Sequence, residues 1–156
     1  MDIKEIIEWF NAAKPNPTEK DKTTQIGAHF EEVSEMMYAL SCNHTAGKTQ
    51  EISEEFYISS AINKDVDGLP IELPKNWEID LLDALCDQIV TAIGVGYMMG
   101  FDMVGALDEV NKSNWSKFDE NGAPVFAENG KIAKADGYFK PDLAKFLKAG
   151  HAQTAE

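Results

Sequence analysis

From Trp77 to Asn111 the chain carries no lysine or arginine, and residues 77–100 read as one helix that is apolar on almost every side. Leu81, Leu82, Leu85, Ile89, Val90, Ile93 and Val95 surround its axis. A helix apolar all round belongs in the interior of a helical assembly. One stripe breaks the pattern. Asp80, Asp83 and Asp87 fall within about 60° of one another on the helical wheel. Burying carboxylates without compensation is expensive, and this stretch holds no cation to offset them. Preference for a helix N-terminus accounts for Asp80 but not for Asp87. A bound cation is the simplest compensation.

A second acidic cluster, Glu31-Glu32-Val33-Ser34-Glu35, lies on another predicted helix, which Thr18 caps and which runs to about Cys42. Its apolar stripe is Ile26, Phe30, Val33, Met37 and Leu40, opposite Glu31, Glu32 and Glu35 at about 100° per residue. Taken alone, these glutamates look like a solvated helix face. Paired with the second cluster they become candidate metal ligands, because carboxylates three or four residues apart share a face. All-oxygen donors suit Mg²⁺ or Mn²⁺. Di-iron bundles use Glu-x-x-His instead, and none of His29, His44 and His151 stands three residues after a glutamate. Mg²⁺ keeps several waters and commonly pairs with substrate phosphates, which points to hydrolysis of a phosphate ester or anhydride.

The remaining helices follow from the same periodicity. Residues 2–13 form a short amphipathic helix capped by Asp2, with Ile3, Ile6, Ile7 and Phe10 inward. Residues 43–47 read as a polar loop. Residues 51–63 read as a helix with Phe56, Ile58 and Ile62 inward, and 65–76 as a linker holding Gly68, Pro70 and Pro74. Asn76 is the expected cap of the 77–100 helix. Asp102 caps a short helix to about Asn114. Residues 117–139 carry turn signals, Asp119-Glu120-Asn121-Gly122 and Glu128-Asn129-Gly130, around Val125-Phe126 and Lys131-Ile132, which read as a small irregular hairpin. Pro141 starts a last short helix to about Lys148, and residues 149–156 form a flexible tail. The expected fold class is all-α, in one domain over residues 1–148.

With 156 residues, 44% hydrophobic and 26% charged, the chain is long enough for one globular core. Its net charge of −13 argues against nucleic acid and anionic membranes as partners. The longest apolar run, 89–103, is too short and too interrupted to span a membrane. The start of the chain shows no signal peptide. Cys42 and Cys86 read as small buried residues of a reduced, cytoplasmic protein.

The order of these motifs resembles that of the MazG-like, all-α nucleoside triphosphate pyrophosphohydrolases of the small bacterial and phage type. The likeness runs from about Gln25 to Leu143. Glu31-Glu32-x-x-Glu35 resembles the first acidic box, and Asp83-Ala84-Leu85-Cys86-Asp87 resembles the Asp-Ala-Leu-x-Asp stretch. Residues 109–117, Glu-Val-Asn-Lys-Ser-Asn-Trp-Ser-Lys, are similar to the Asn-x-Ser-Lys box, and Tyr138-Phe139-Lys140-Pro141-Asp142-Leu143 to the tail. Asp80 stands where the family pattern has glutamate, so its helix must sit closer or a water must bridge.

The resemblance implies a four-helix core with a C-terminal loop or hairpin extension, assembled as a homodimer or homotetramer. It implies hydrolysis of a (deoxy)nucleoside triphosphate to the monophosphate and pyrophosphate, in the host cytoplasm if phage-encoded, with a purine deoxynucleotide as one option for the base. Glu32, Glu35, Asp80 and Asp83 would hold two or more Mg²⁺ (or Mn²⁺), with Asp87 as a further ligand. Glu31, with Glu35, would serve the attacking water. Asn114 and Lys117 would contact phosphate, whereas a helix C-terminus favouring a lysine explains them structurally. Gln25 and Lys140 are weaker candidates for substrate contact, and Lys112 and Lys131 read as surface residues. A phosphoribosyl-ATP pyrophosphohydrolase is the within-class alternative. A non-enzymatic metal-binding helical dimer is the alternative from another class.

Overall fold

A computed structural model describes residues 2–147 of the chain. Over that span it is all-α: α1 (Ile3–Ala13), α2 (Glu19–Ala39), α3 (Asn43–Ile58), α4 (Trp77–Met98) and α5 (Met103–Trp115), followed by a 3₁₀ turn at Ala144–Phe146. β-Pairing among the described residues is confined to isolated bridges. No helix among them is long and apolar enough to cross a membrane. The expected tail, 149–156, lies outside the described residues. The chain divides into two compact units. One contains residues 2–13, 74–124 and 134–147; the other contains Lys14–Leu73 and Val125–Ala133.

The second of these units is an antiparallel α2–α3 hairpin with a short segment laid upon it. Thr18 starts α2 through a complete capping box. Its hydroxyl accepts from the Asp21 N–H, and the Asp21 carboxylate accepts from the Thr18 N–H at 2.9 Å. Lys14 closes an ion pair on the same carboxylate, and together these interactions drop Asp21 from its ordinary 3.8 to about 2, with Lys14 the largest cause and Thr18 the next. At the other end Ser41 adopts φ 60° while the Cys42 N–H reaches back to the Met37 carbonyl at 2.9 Å. This is a left-handed helix stop of the kind glycine usually occupies.

The residues expected to form a loop at 43–47 are helical: α3 begins at Asn43, and Cys42 caps it without a side-chain bond. Packing supplies what local signals lack. Ala46 and Ser34 are fully buried at the seam, where the Ser34 hydroxyl donates to the Ala46 carbonyl at 2.9 Å. Further along, the buried Ser53 hydroxyl donates to the Gly27 carbonyl at 2.7 Å, and Thr23 donates to the Ser59 carbonyl at 2.9 Å. A Cβ on Gly27 would lie 2.9 Å from the Tyr57 ring, so only glycine permits this approach of α2 and α3. The seam is therefore Thr23, Gly27 and Ser34 against Ala46 and Ser53, not the apolar stripe anticipated for α2. Leu40 is exposed, and Phe30 contributes by stacking on Phe56 at 5.8 Å from a half-exposed position. The α3 helix also ends at Ile58 rather than at 63, with Ile58 exposed.

In the other unit α5 is the hub, packing against α1, α4 and the 3₁₀ turn. Trp9 and Ala13 are the buried residues of α1, whereas Ile3 and Ile7, expected inward, are exposed. Trp9 stacks on Phe118 at 6.2 Å, and Trp115 meets Phe118 edge-on at 5.3 Å. These aromatics serve packing. Asp102 caps α5 by accepting from the Gly105 N–H at 3.0 Å. Of the last helix expected, 141–148, the described residues hold only the one-turn Ala144–Phe146, whose Phe146 carbonyl accepts from the Asp102 N–H at 2.9 Å.

The largest departure from expectation is α4. Of its residues Gly96 alone is buried, at the point where Met103 of α5 crosses it. Leu82 is 64% exposed and Val90 67% exposed, and Leu81, Leu85, Ile89, Ile93 and Val95 are exposed as well. Asn76 occupies the cap position without making a side-chain bond. Cys42 and Cys86, expected to be buried, are both exposed.

Candidate functional site

The seam of α2 decides where its glutamates point. Thr23, Gly27 and Ser34 face α3, and Glu31 lies on the same face, one turn beyond Gly27. Glu31 is thus drawn into the hairpin, while Glu32 and Glu35 remain exposed on the outer face. The Glu31 carboxylate, 27% exposed, accepts a hydrogen bond from the Tyr57 hydroxyl of α3 and an ion pair from Lys131 Nζ at 2.7 Å. Both donors reach the same oxygen, Oε2. Lys131 Nζ also lies 5.5 Å from the centre of the Tyr57 ring.

Burial pushes the Glu31 carboxyl up, but the hydrogen bonds from Lys131 and Tyr57, with the charge of Lys131, outweigh it and hold the group below its ordinary range. Burial, and then the Glu31 hydrogen bond, raise the Tyr57 phenol. Burial lowers Lys131, and the bonds to Glu31 and Tyr57 more than offset that. Glu31 is held as a carboxylate and Lys131 as an ammonium, in a half-buried corner where a hydrogen-bonded ion pair is stronger than on open surface.

Lys131 reaches this corner because of the turn before it. Phe126 and Ile132 form an isolated antiparallel bridge, Gly130 adopts φ 82°, and Asn129 Oδ1 accepts from the Lys131 N–H at 3.2 Å. The Asn129 carbonyl accepts from Thr24 Oγ1 at 3.4 Å. Thr24 and Glu31 are seven residues apart on α2, so the turn is fastened at two points two helical turns apart. The irregular hairpin anticipated at 117–139 is thereby placed: its middle, Val125–Ala133, belongs to the α2–α3 unit. Lys131, read from sequence as a surface residue, is a half-buried partner of Glu31. The Asn129-Gly130 turn was the available signal; nothing in the spacing pointed to Tyr57.

The second acidic box belongs to the other unit. Asp80, Asp83 and Asp87 are all exposed along α4. Their number and kind suit a hard cation, with paired carboxylates one helical turn apart on α4, as Glu32 and Glu35 are on α2. Among the described residues no three His, Cys, Asp or Glu side chains gather into a metal-holding group.

The Asn114–Lys117 segment ends α5. Asn114 and Lys117 are half-buried, and Lys117 Nζ lies 5.8 Å from the Trp9 ring centre. Ser113 and Ser116 do evident structural work here: Ser113 donates to the Phe139 carbonyl at 2.8 Å, and Ser116 Oγ accepts from the Phe139 N–H at 3.1 Å. They tie the tail to the end of α5. Gln25 and Lys140 are exposed. Lys112 pairs with Asp108 at 2.7 Å, as a solvated helix face would.

No protein-family model matches the chain, and searches of curated proteins and of solved structures find no match either.

Proposed function

We propose that the protein is a metal-dependent nucleoside triphosphate pyrophosphohydrolase of the MazG-like kind, cleaving a (deoxy)nucleoside triphosphate to the monophosphate and pyrophosphate. The observation that carries this reading is the half-buried Glu31 carboxylate, kept charged beside the exposed Glu32 and Glu35. Two donors that fix a carboxylate in one orientation suit a group that must hold a water in place.

In this reading Glu31 orients the attacking water and takes its proton. Glu32 and Glu35 on α2, and Asp80 and Asp83 on α4, would serve as ligands of Mg²⁺ or Mn²⁺, and Asp87 would add a carboxylate to the second box. When bound, the ion supplies charge neutralisation at the phosphates and a more acidic water, which lets so acidic a chain accept a polyanion. Asn114 and Lys117 contact phosphate. The apolar sides of α4 support a homodimer or homotetramer, since contiguous apolar surface of this extent marks an association site.

The test is a product panel. The protein is incubated with each NTP and dNTP in Mg²⁺, Mn²⁺ or EDTA, and the products are resolved by chromatography. Monophosphate with pyrophosphate, lost in EDTA and in Glu35→Gln and Asp83→Asn, is the expected result. Diphosphate with orthophosphate, or no turnover of any nucleotide, refutes the reading.

A further inference from the structure

We infer that Tyr57 and Lys131 are positioning residues for Glu31, so that the 125–133 segment completes the hydrolytic site of the α2–α3 unit. This rests on the reading of Glu31 as the carboxylate that serves the attacking water. The geometry is specific. Two donors from different parts of the chain, the α3 hydroxyl and the Lys131 ammonium, converge on Oε2, and Oε1 takes neither of them. A carboxylate held by one oxygen from two directions cannot rotate freely about its last bond. Its second oxygen is left with a defined direction in which to accept a hydrogen bond. In the proposed reaction water adds across the α–β phosphoanhydride: its oxygen bonds to phosphorus, the bridging P–O bond breaks, pyrophosphate departs with the electron pair, and Oε1 receives the proton. Orientation of that oxygen sets the rate of the step rather than the affinity for nucleotide.

The attachment of the segment fits the same role. Thr24 holds the turn through the Asn129 carbonyl, and Gly130 at φ 82° brings Lys131 back over α2 two helical turns further on.

The experiment is a kinetic double-mutant cycle on the full chain, with Tyr57→Phe, Lys131→Met and Lys131→Arg, each alone and combined with Glu31→Gln, using the nucleotide and metal that give the highest rate. Melting temperatures are recorded in parallel. Tyr57→Phe and Lys131→Met are expected to lower kcat about 10–100-fold, the range for partners that orient a reacting group, and to leave KM nearly unchanged. Lys131→Arg, which restores a donor, recovers most of the loss. In the Glu31→Gln background neither substitution lowers the residual rate further, because both act through Glu31. An unchanged kcat in folded Tyr57→Phe and Lys131→Met overturns the inference and leaves the pyrophosphohydrolase reading intact. So does a loss that persists undiminished in the Glu31→Gln background. If Tyr57→Phe does not fold, the comparison of Lys131→Met with Lys131→Arg decides: equal losses in both refute positioning by Lys131. A wild-type protein that turns over no nucleotide removes the underlying reading and this inference together.

Discussion

Replacing Asp21 with asparagine is expected to destabilise the α2–α3 unit at neutral pH and to have almost no effect in strong acid. Asp21 closes the capping box with Thr18 and pairs with Lys14, and its carboxyl titrates at about 2 instead of 3.8. At about 1.4 kcal/mol per pH unit, that difference corresponds to about 2.5 kcal/mol. The Lys14 and Asp21 side chains retain 25% and 20% of their exposure, so solvent screening reduces the contribution to about 1–1.5 kcal/mol. The folded value is depressed. The stabilisation is therefore complete above the unfolded value near 4 and disappears as pH falls through about 2. Urea unfolding followed by far-UV circular dichroism at several pH values between 7 and 2 measures it for wild type and Asp21→Asn. Tryptophan emission is the wrong probe, because Trp9, Trp77 and Trp115 all lie in the other unit. The two curves should be separated by about 1–1.5 kcal/mol at pH 7 and converge toward pH 2. A gap that does not narrow between pH 4 and 2 would refute the assignment to the Asp21 charge.

Ser41→Gly should stabilise the same hairpin by about 0.5–1 kcal/mol, because a serine at φ 60° carries a strain that glycine lacks; an unchanged or lower urea midpoint would count against the left-handed helix stop. Leu82→Lys with Val90→Lys, at positions 64% and 67% exposed on α4, should convert the proposed oligomer into a monomer in sedimentation equilibrium while retaining helical content. Oligomers that persist in this variant place the interface elsewhere.

What was legible in the sequence is what local chemistry sets. The Thr18 cap, the Asp102 cap, the α5 helix and the glycine turns at 122 and 130 follow from side chains bonding to nearby backbone, and they stand close to where their residues place them. The order of the acidic boxes was equally plain, since a helix period assigns Glu31, Glu32 and Glu35 to neighbouring positions. Periodicity does not say which face meets a neighbour. For α2 the larger apolar residues suggested one stripe, whereas the close approach at Gly27 selected a seam of threonine, serine and glycine. That choice turned Glu31 inward and left Glu32 and Glu35 outside. The α3 start at Asn43 was hidden for a related reason: its support is Ser34 and Ala46 packing across the hairpin, not a cap.

Sequence by itself determined the all-α class, the helix starts that carry their own caps, and the carboxylates available for chemistry, because these depend on groups within a few residues of each other. Tertiary structure alone decided that Glu31 meets Tyr57 and Lys131. That meeting joins residues 26 and 100 positions apart, and no local preference encodes it. It forms only when the α2–α3 seam has closed and a distant turn is fastened to it through Thr24.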